Sequence, residues 1–147
     1  LGEVLGGKIQ KSKFSEIGLF DLNSKESIYR DKNLNFFPKK PQVFQWHSYE
    51  VCSLESSNIE NLATSSCTEN QLFRYKSHAY GLQFHFEVDL DTIEKWLKEK
   101  TFKITLEKIF GPDPLRIIKK KYANEFHKMN LLCAKFIFNL IKSFNIN

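Results

Sequence analysis

The chain has 147 residues, of which 41% are hydrophobic and 27% charged, and its formal net charge is +5. This composition is that of a folded protein rather than a disordered one, and the length favours a single domain. No apolar run approaches the roughly 20 residues that a membrane-spanning helix needs, and no secretory signal is visible. Without an apolar run of that length we expect no membrane partner. The three cysteines lack metal-ligand spacing, so we expect no metal site, and their odd number without a secretory segment predicts reduced thiols in the cytoplasm.

The positive charge is spread over the chain. Its lysines are dispersed, at positions that include 8, 11, 13, 39, 40, 95, 98 and 119–121. A small basic nucleic-acid binder would suit the net charge, but no nucleic-acid motif accompanies it. A solvated face is the interpretation we favour, and we expect no nucleic-acid partner. The chain begins with Leu1 and its sole methionine is Met129, which indicates a piece of a longer protein.

The first half of the chain alternates β-type runs with polar loops. Leu1–Leu5, followed by two glycines, predicts the last turn of a helix and its glycine stop. Pro38 and Pro41 predict a loop over Asp31–Gln42. Runs of β-type residues predict short strands at 8–10, 16–22, 43–46 and 49–54, with a polar turn at 55–61. Two further runs, 72–76 and 79–84, lie on either side of Ser77-His78 and predict a hairpin.

The apolar period changes from strand-like to helical after Glu87. A stripe at helical spacing predicts a first helix, and it consists of Val88, Ile93, Trp96 and Leu97. Asp91, three residues before Glu94, predicts the N-terminal cap of this helix. Asp113 and Pro114 predict the start of a final helix after a break. One apolar face of that helix is predicted from Phe126, Cys133, Ile137, Leu140 and Phe144. Mixed strands followed by helices favour a layered α/β domain.

The stretch GLQFHFEV, residues 81–88, places a histidine and a carboxylate two positions apart where an apolar strand ends. His85 could act as a general base near neutral pH, and Glu87 could accept a proton from its other ring nitrogen. Residues two apart lie on the same side of a strand, so the spacing allows contact. A structural histidine beside a helix-capping glutamate explains the same two residues, because the pattern is short.

A series of short motifs runs through most of the chain in a fixed order. These motifs are LGGKI at 5–9, EIGLF at 16–20, VFQWHS at 43–48, LATSS at 62–66, NQLFRY at 70–75 and YGLQFH at 80–85. In order and spacing the chain resembles the class I glutamine amidotransferases. It is most similar to the branch that includes the amidotransferase part of GMP synthase. From about residue 98 onward the similarity is diffuse.

This resemblance implies a flavodoxin-like α/β fold, truncated at its N-terminus, in one partial domain over 1–147 with a helical C-terminal extension from about residue 98. It also implies a glutaminase, in which a cysteine attacks the amide of glutamine, ammonia leaves, and water releases glutamate. By motif position, His85 activates the cysteine and Glu87 orients His85. Backbone N–H groups of Ser48 and Tyr49, in the turn after the WH segment, would bind the substrate carboxylate. Glutamine is the implied substrate and an ammonia-accepting synthase domain or subunit the implied partner, with no cofactor.

The sequence departs from the family pattern at two places. Phe86 replaces the proline of the HPE motif, which leaves the turn less constrained. The Gly-x-Cys-x-Gly elbow, in which the family's nucleophile lies, does not occur in this sequence. Neither Cys52 nor Cys67 has elbow glycines, and Cys133 falls on an apolar helix face. By the family's spacing, the missing cysteine would lie about six residues before Leu1.

Two further interpretations follow from that missing cysteine and from the remaining side chains. A catalytically dead relative that acts as a binding or regulatory module is the alternative to an active enzyme. For His47 we expect a structural or substrate-turn role, and for His78 and His127 positions at the surface. Trp46 and Trp96 are expected in the core or at its rim. Arg74 could hold a carboxylate or form a surface ion pair.

Overall fold

The computed structural model describes residues 1–144. Strands precede helices in this part of the chain, as predicted. The elements are β1 (Lys8–Asp21), β2 (Asn23–Ser24), β3 (Gln42–Cys52), β4 (Ile59–Thr64), β5 (Leu72–Tyr75), β6 (Ala79–Leu82), α1 (Leu90–Trp96), α2 (Lys100–Phe110) and α3 (Pro114–Phe144). A short 3-10 helix, Glu26–Arg30, follows β2. Before β1 the chain makes tight turns rather than a helix, and Gly6 ends them at a φ of 88°.

The first sheet is an antiparallel pair of long strands, β1 and β3. Two short strands were predicted in each region, whereas each region forms one strand, of 14 residues in β1 and 11 in β3. The polar residues between the predicted pieces remain extended because pairing with the opposite strand outweighs their weak β propensity. The register shifts between Lys11 and Glu16. This bulge in β1 lies opposite Ser48.

The second sheet is antiparallel, with strand order β2-β4-β5-β6. Its β5–β6 hairpin confirms the prediction from Ser77-His78, and Lys76 at the turn has a φ of 51°. The turn predicted over 55–61 is shorter than expected, because Ile59 already pairs with Tyr75 in β4. Gly81 is required in β6, since a Cβ there would lie 2.2 Å from the ring of Phe73. The close approach of that ring packs the hairpin tightly.

The N-terminal cap of helix α1 lies two residues earlier than predicted. Asp89, not Asp91, is the N-cap, and its carboxylate accepts a hydrogen bond of 2.8 Å from the backbone N–H of Thr92. The hydroxyl of Thr92 donates to the same oxygen. These bonds lower the pKa of Asp89 below its ordinary value. Asp91 was predicted because of its spacing to Glu94. It lies instead inside the first turn of the helix, where the helix dipole stabilises its carboxylate.

Helix α3 begins as predicted and packs with a different face. Pro114 is its first residue, and Asp113 accepts a hydrogen bond of 3.2 Å from the N–H of Arg116. The buried residues of the helix are Pro114, Ile118, Phe126, Met129 and Phe136. The predicted face was therefore wrong at Ile137 and Phe144, whose exposed fractions are 44% and 58%. Over so long a helix, small errors in the assumed period move the stripe away from the core.

An aromatic cluster joins α1, α2 and α3 to the first sheet. Phe44 of β3 lies fully buried between Trp46, Trp96 and Phe126, with ring centroids 5.8–6.1 Å apart. Phe102 of α2 closes the cluster at 5.1 Å from Trp46. Both tryptophans are half-buried, as expected of rim residues. The cluster fixes β3 against the helices, and β3 in turn supports the segment that carries His85.

Arg74 holds a buried carboxylate, which is one of the two possibilities that the sequence left open, and it also pairs with a partly exposed one. Its guanidinium contacts the fully buried carboxylate of Asp31 at 2.5 Å and also contacts Glu60. Tyr80 donates its hydroxyl to Asp31 at 3.0 Å. Burial, followed by the charge and hydrogen bond of Asp31, raises the pKa of Tyr80 to about 12. This network joins the loop after the 3-10 helix to the second sheet, which is a structural role.

Candidate active site

His85 lies three residues beyond the end of β6, where the chain leaves the second sheet and touches the first. The N–H of Gln83 donates to the carbonyl of Gln71 at 2.9 Å, and the N–H of His85 donates to the carbonyl of Phe44 at 2.7 Å. Phe44 and His85 form an isolated antiparallel bridge. The backbone of His85 is therefore held between the two sheets. The predicted strand extended to Phe84, whereas β6 ends at Leu82 and His85 follows after two residues in a bend.

The side chains of His85 and Glu87 are in contact. Nδ1 of His85 lies 2.8 Å from Oε1 of Glu87, and their exposed fractions are 40% and 57%. When Nδ1 carries the proton it donates to the carboxylate, and the imidazole then presents Nε2 as the basic nitrogen. The contact that the spacing predicted is therefore present, in a solvent-accessible position.

Cys133 of α3 is half-buried near this pair. Burial, followed by the negative charge of Glu87, raises the pKa of the Cys133 thiol. A nucleophilic cysteine needs the opposite, because the thiolate is the reactive form and a neighbouring carboxylate disfavours it. The position of Cys133 therefore agrees with the packing role expected for it.

Ser48 and Tyr49 lie within β3 and not in a turn, so the predicted turn after the WH segment was wrong. The chain stays extended there because Tyr49 pairs with Lys11 across the first sheet. Ser48 lies opposite the bulge of β1, where its hydroxyl lies 2.8 Å from that of Ser15. The side chain of Tyr49 is 58% exposed. An irregularity does occur beside these two residues, but it belongs to the opposite strand.

A buried polar cluster beside Ser48 was not identified from the sequence as a unit. Glu16 is fully buried, and its Oε2 accepts hydrogen bonds of 2.7 Å from Thr68 and from Gln71. Nε2 of His47 lies 3.1 Å from the same oxygen, and Nδ1 of His47 lies 3.1 Å from the carbonyl of Tyr49. His47 thus links Glu16 to the backbone of residues 47–49.

The charge of Glu16 is stabilised by this cluster. Burial alone would raise the pKa of Glu16, but the polar side chains of His47, Ser65 and Thr68 around the carboxylate outweigh it and lower that pKa. Glu16 and His47 are far apart in sequence, and the bulge sets which residues of β1 meet β3. A glutamate in an otherwise apolar run, EIGLF, was the one signal of a buried partner. The cluster supports the structural role expected for His47.

The other candidate side chains lie elsewhere. His78 and His127 are exposed, as expected. The thiol of Cys52 lies 3.4 Å from the carbonyl of Lys8, and Cys67 is exposed in a turn whose N–H groups bond to Ser65. Within residues 1–144, no group of three or more potential ligands is arranged to hold a metal ion. None of the helices in that range is both long and apolar enough to cross a bilayer.

Known proteins with similar sequences are glutamine amidotransferases. Over 106 residues the chain is 28% identical to a GMP synthase (glutamine-hydrolyzing) from Syntrophomonas wolfei, which covers 67% of this chain and 20% of that protein. Over 94 residues it is 27% identical to the glutamine amidotransferase-like protein YfeJ from Salmonella typhimurium, covering 64% of this chain and 38% of that one. The chain thus spans well under half the length of these relatives.

The fold is also shared with solved structures. A glutamine amidotransferase from Thermotoga maritima superposes with a TM-score of 0.79 at 29% identity, over 96% of this chain and 57% of that one. The α/β arrangement of strands and helices is therefore the flavodoxin-like one of these enzymes, as the motifs implied. The family model described as glutamine amidotransferase class-I matches residues 1–104. This match covers the motif series and both residues of the candidate pair, and the chain belongs to the class I glutamine amidotransferase family.

Proposed function

We propose that this chain supplies the base and the substrate-binding strand of a glutaminase site that converts glutamine to glutamate and ammonia. The observation that carries the proposal is the contact between His85 and Glu87 at the accessible end of the β6 segment. A histidine oriented by a carboxylate is the arrangement that activates a thiol nucleophile. Family membership supports the same chemistry.

The reaction assigns a role to each residue. His85 takes the proton of a cysteine thiol, and the thiolate adds to the side-chain carbonyl carbon of glutamine. The C–N bond then breaks, and the leaving nitrogen takes that proton from His85 and departs as ammonia. The product is a γ-glutamyl thioester. His85 then accepts a proton from water as the water attacks the thioester, and the C–S bond breaks to release glutamate. Glu87 holds Nδ1 throughout, so that Nε2 exchanges the protons.

The substrate carboxylate is assigned to the backbone N–H groups of Ser48 and Tyr49. The bulge of β1 opposite Ser48 supports this assignment, because a bulge locally disrupts the hydrogen-bond ladder between two strands. The cluster of Glu16 and His47 contacts the same strand through the carbonyl of Tyr49. A preorganised backbone of this kind binds a carboxylate through its N–H groups, so the assignment does not depend on the side chain of Ser48.

The nucleophile is proposed to lie outside these 147 residues. None of the three cysteines has the elbow glycines that put a thiol at a strand-to-helix turn. The raised pKa of Cys133 argues against it in particular.

The ammonia is then expected to pass to a synthase domain or subunit. One relative is named a glutamine-hydrolyzing GMP synthase, which fits such an arrangement. Reduced cysteines favour the cytoplasm for this protein.

A catalytically inactive member of the family, acting as a binding or regulatory module, is the second candidate. The observation that favours it is the absence of Gly-x-Cys-x-Gly from these residues, together with Phe86 in the motif that follows His85. The two candidates differ in one measurable property, which is turnover of glutamine.

The test is glutamate production from glutamine by the protein as its gene encodes it, hereafter the natural protein. A triple variant, Cys52→Ser with Cys67→Ser and Cys133→Ser, serves as the comparison. We expect turnover in both, because the reacting thiol is another cysteine. Loss of turnover in the triple variant, traced to one single substitution, would place the nucleophile in this chain. No glutamate from the natural protein, with or without its synthase partner, would favour the inactive module.

A further inference from the structure

The C-terminal helix α3 reaches back to the segment that carries the candidate pair. The side-chain amide of Asn130 donates two hydrogen bonds, one to the carbonyl of Phe86 and one to the carbonyl of Val88, both at 3.0 Å. These carbonyls lie on either side of Glu87. One amide group, half-buried on a helix, therefore holds the carbonyls of the residues immediately before and after Glu87.

The backbone at this point has little other support of a regular kind. Residues 86 and 87 form a bend beyond the bridge at His85, and no strand ladder includes them. Phe86 does not fix its own φ as a proline would. Its buried ring packs instead on Phe84 at 5.3 Å and on Phe136 of α3 at 5.9 Å between centroids. The bend is thus held by α3 through one aromatic contact and one amide.

The exposure of the pair makes this support relevant to the chemistry. The side chains of His85 and Glu87 are both substantially solvent-exposed. An exposed ion pair gains little from its charges and loses side-chain entropy when it is held in one geometry. Fixing the backbone on both sides of Glu87 removes part of that entropy before the pair forms. The carboxylate is then presented to Nδ1 in a restricted set of positions.

We propose that Asn130 is a positioning residue for the candidate site, which sets the orientation of Glu87 and through it the tautomer of His85. The inference rests on the proposed function for its catalytic meaning, although the orientation itself can be measured without turnover. Asn130 lies beyond residue 104, where the match to the family model ends. The helical extension therefore contributes to the site instead of only covering the core.

The experiment reads the tautomer of His85 by long-range ¹H–¹⁵N correlation of histidine-labelled natural protein at a pH of about 8, where an ordinary imidazole is neutral. His85→Asn assigns the signal, and Glu87→Gln shows the signal without the carboxylate. The test variants are Asn130→Ala and Asn130→Asp, of which the second keeps the shape and loses both donors. Asn139→Ala is the matched control, since Asn139 bonds from α3 to the distant Asn33 carbonyl.

We expect the Nδ1–H form of His85 in the wild type and in Asn139→Ala, and a shift toward the Nε2–H form in both Asn130 variants. In an active protein, kcat for glutamine should fall by about 10- to 100-fold in these variants, with a smaller change in KM, because misplacement of a catalytic group lowers the chemical step. Either Asn130 variant that folds and keeps the wild-type tautomer would overturn the proposal. Unfolding of both, with Asn139→Ala folded, would show a structural role and overturn it as well.

The two failures can be separated. If the natural protein releases no glutamate but the tautomer shifts as expected, the positioning role stands and the glutaminase proposal fails. If glutamate is released at wild-type rates by a folded Asn130→Ala, the glutaminase proposal stands and the positioning role fails.

Discussion

Two histidines of this chain contact carboxylates, in opposite environments. His47 and Glu16 are 7% and 0% exposed, whereas His85 and Glu87 are 40% and 57% exposed. The buried pair lies within a polar cluster that is shielded from solvent, and it supports the strands around it. An exposed pair can exchange protons with a substrate or with water. The same residue types therefore serve a structural role at one site and suit a catalytic role at the other.

The buried pair predicts an acid-sensitive contribution to stability. The pKa of Glu16 is lowered in the folded protein below its ordinary value of 4.5. As the pH falls, the unfolded chain therefore takes up a proton at Glu16 before the folded protein does. The stability that the charged Glu16 contributes is fully present above the ordinary pKa and is lost as the pH falls through the lowered pKa. We expect the free energy of unfolding of the natural protein, measured in urea, to fall between about pH 5 and about pH 3. In Glu16→Gln this fall should be smaller than in the wild type, by at most about 1.4 kcal/mol per pH unit.

The control for Glu16 is Glu94→Gln, at a glutamate that forms an exposed pair with Lys119. Its acid dependence should match that of the wild type. An unchanged acid dependence in Glu16→Gln would show that the cluster does not hold a charged carboxylate.

Proximity along the chain determined which contacts the sequence could predict. His85 and Glu87 are two positions apart, so a contact between them could be predicted from the sequence, although the chain bends at residues 86 and 87 instead of continuing as a strand. Glu16 and His47 meet because of the bulge in β1, and no local pattern announces a bulge. The turn assigned to Ser48 and Tyr49 failed for a related reason, since the irregularity opposite Ser48 lies in its partner strand.

At the scale of elements, the start of α1 shows how a cap depends on backbone geometry. Asp89 has an extended backbone, with φ of −119° and ψ of 178°, and it accepts the N–H of Thr92. Two aspartates lie within reach of the helix start, and sequence spacing to Glu94 favoured the wrong one. Conformation decides between them, because only a residue outside the helix can turn its carboxylate onto the first free N–H groups.

Asp89→Ala should lower the free energy of unfolding of the natural protein by about 1 kcal/mol, the usual cost of losing an N-cap carboxylate. Asp91→Ala is the matched control and should cost less than about 0.5 kcal/mol. Chemical denaturation with both variants measures the difference. Equal costs, or a larger cost for Asp91→Ala, would restore the cap that the sequence predicted.

Helix α3 predicts a contrast between two phenylalanines on one element. Phe126 is 2% exposed and packs on Phe44, whereas Phe138 is 56% exposed with Lys142 over its ring. Phe126→Ala should therefore cost about 3–5 kcal/mol of stability. Phe138→Ala should remain within about 0.5 kcal/mol. Denaturation of the natural protein measures both, and a comparable cost for Phe138→Ala would mean that this exposed face is covered in solution.

Element types were easier to predict than element limits. The β5–β6 hairpin and the start of α3 carry local signals, in Ser77-His78 and in Asp113-Pro114. The long strands β1 and β3 carry none across their polar centres, where each depends on the other for its hydrogen bonds. The buried face of α3 likewise depends on what the helix packs against. Tertiary contacts therefore settled the features that local pattern left open.

At the scale of the whole molecule, the 147-residue chain is expected to behave poorly on its own. Several large apolar side chains near its start are exposed by half or more, namely Leu1, Val4, Ile9 and Phe14. Exposed apolar patches and unpaired strand edges promote association. We expect the chain made alone to aggregate and to release no glutamate, because we propose that the cysteine activated by His85 lies outside these residues. Light scattering and a glutamate assay of the chain and of the natural protein test this.

A monomeric, stable and inactive chain would contradict the folding part of this prediction and leave the catalytic part in place. Robust turnover by the chain alone would contradict the catalytic part. Loss of this turnover in Cys52→Ser or Cys67→Ser would then identify the nucleophile as that cysteine, although neither has elbow glycines.

The proposal that His85 is the general acid and base of a glutaminase site is tested by the rate of glutamate release from the natural protein with His85→Ala. We predict a fall in kcat of at least about 100-fold, the usual contribution of a general acid–base residue. His78→Ala, at an exposed histidine in the β5–β6 turn, is the matched control and should keep the wild-type rate. A His85→Ala protein that is folded and releases glutamate at the wild-type rate would show that His85 does not have this role.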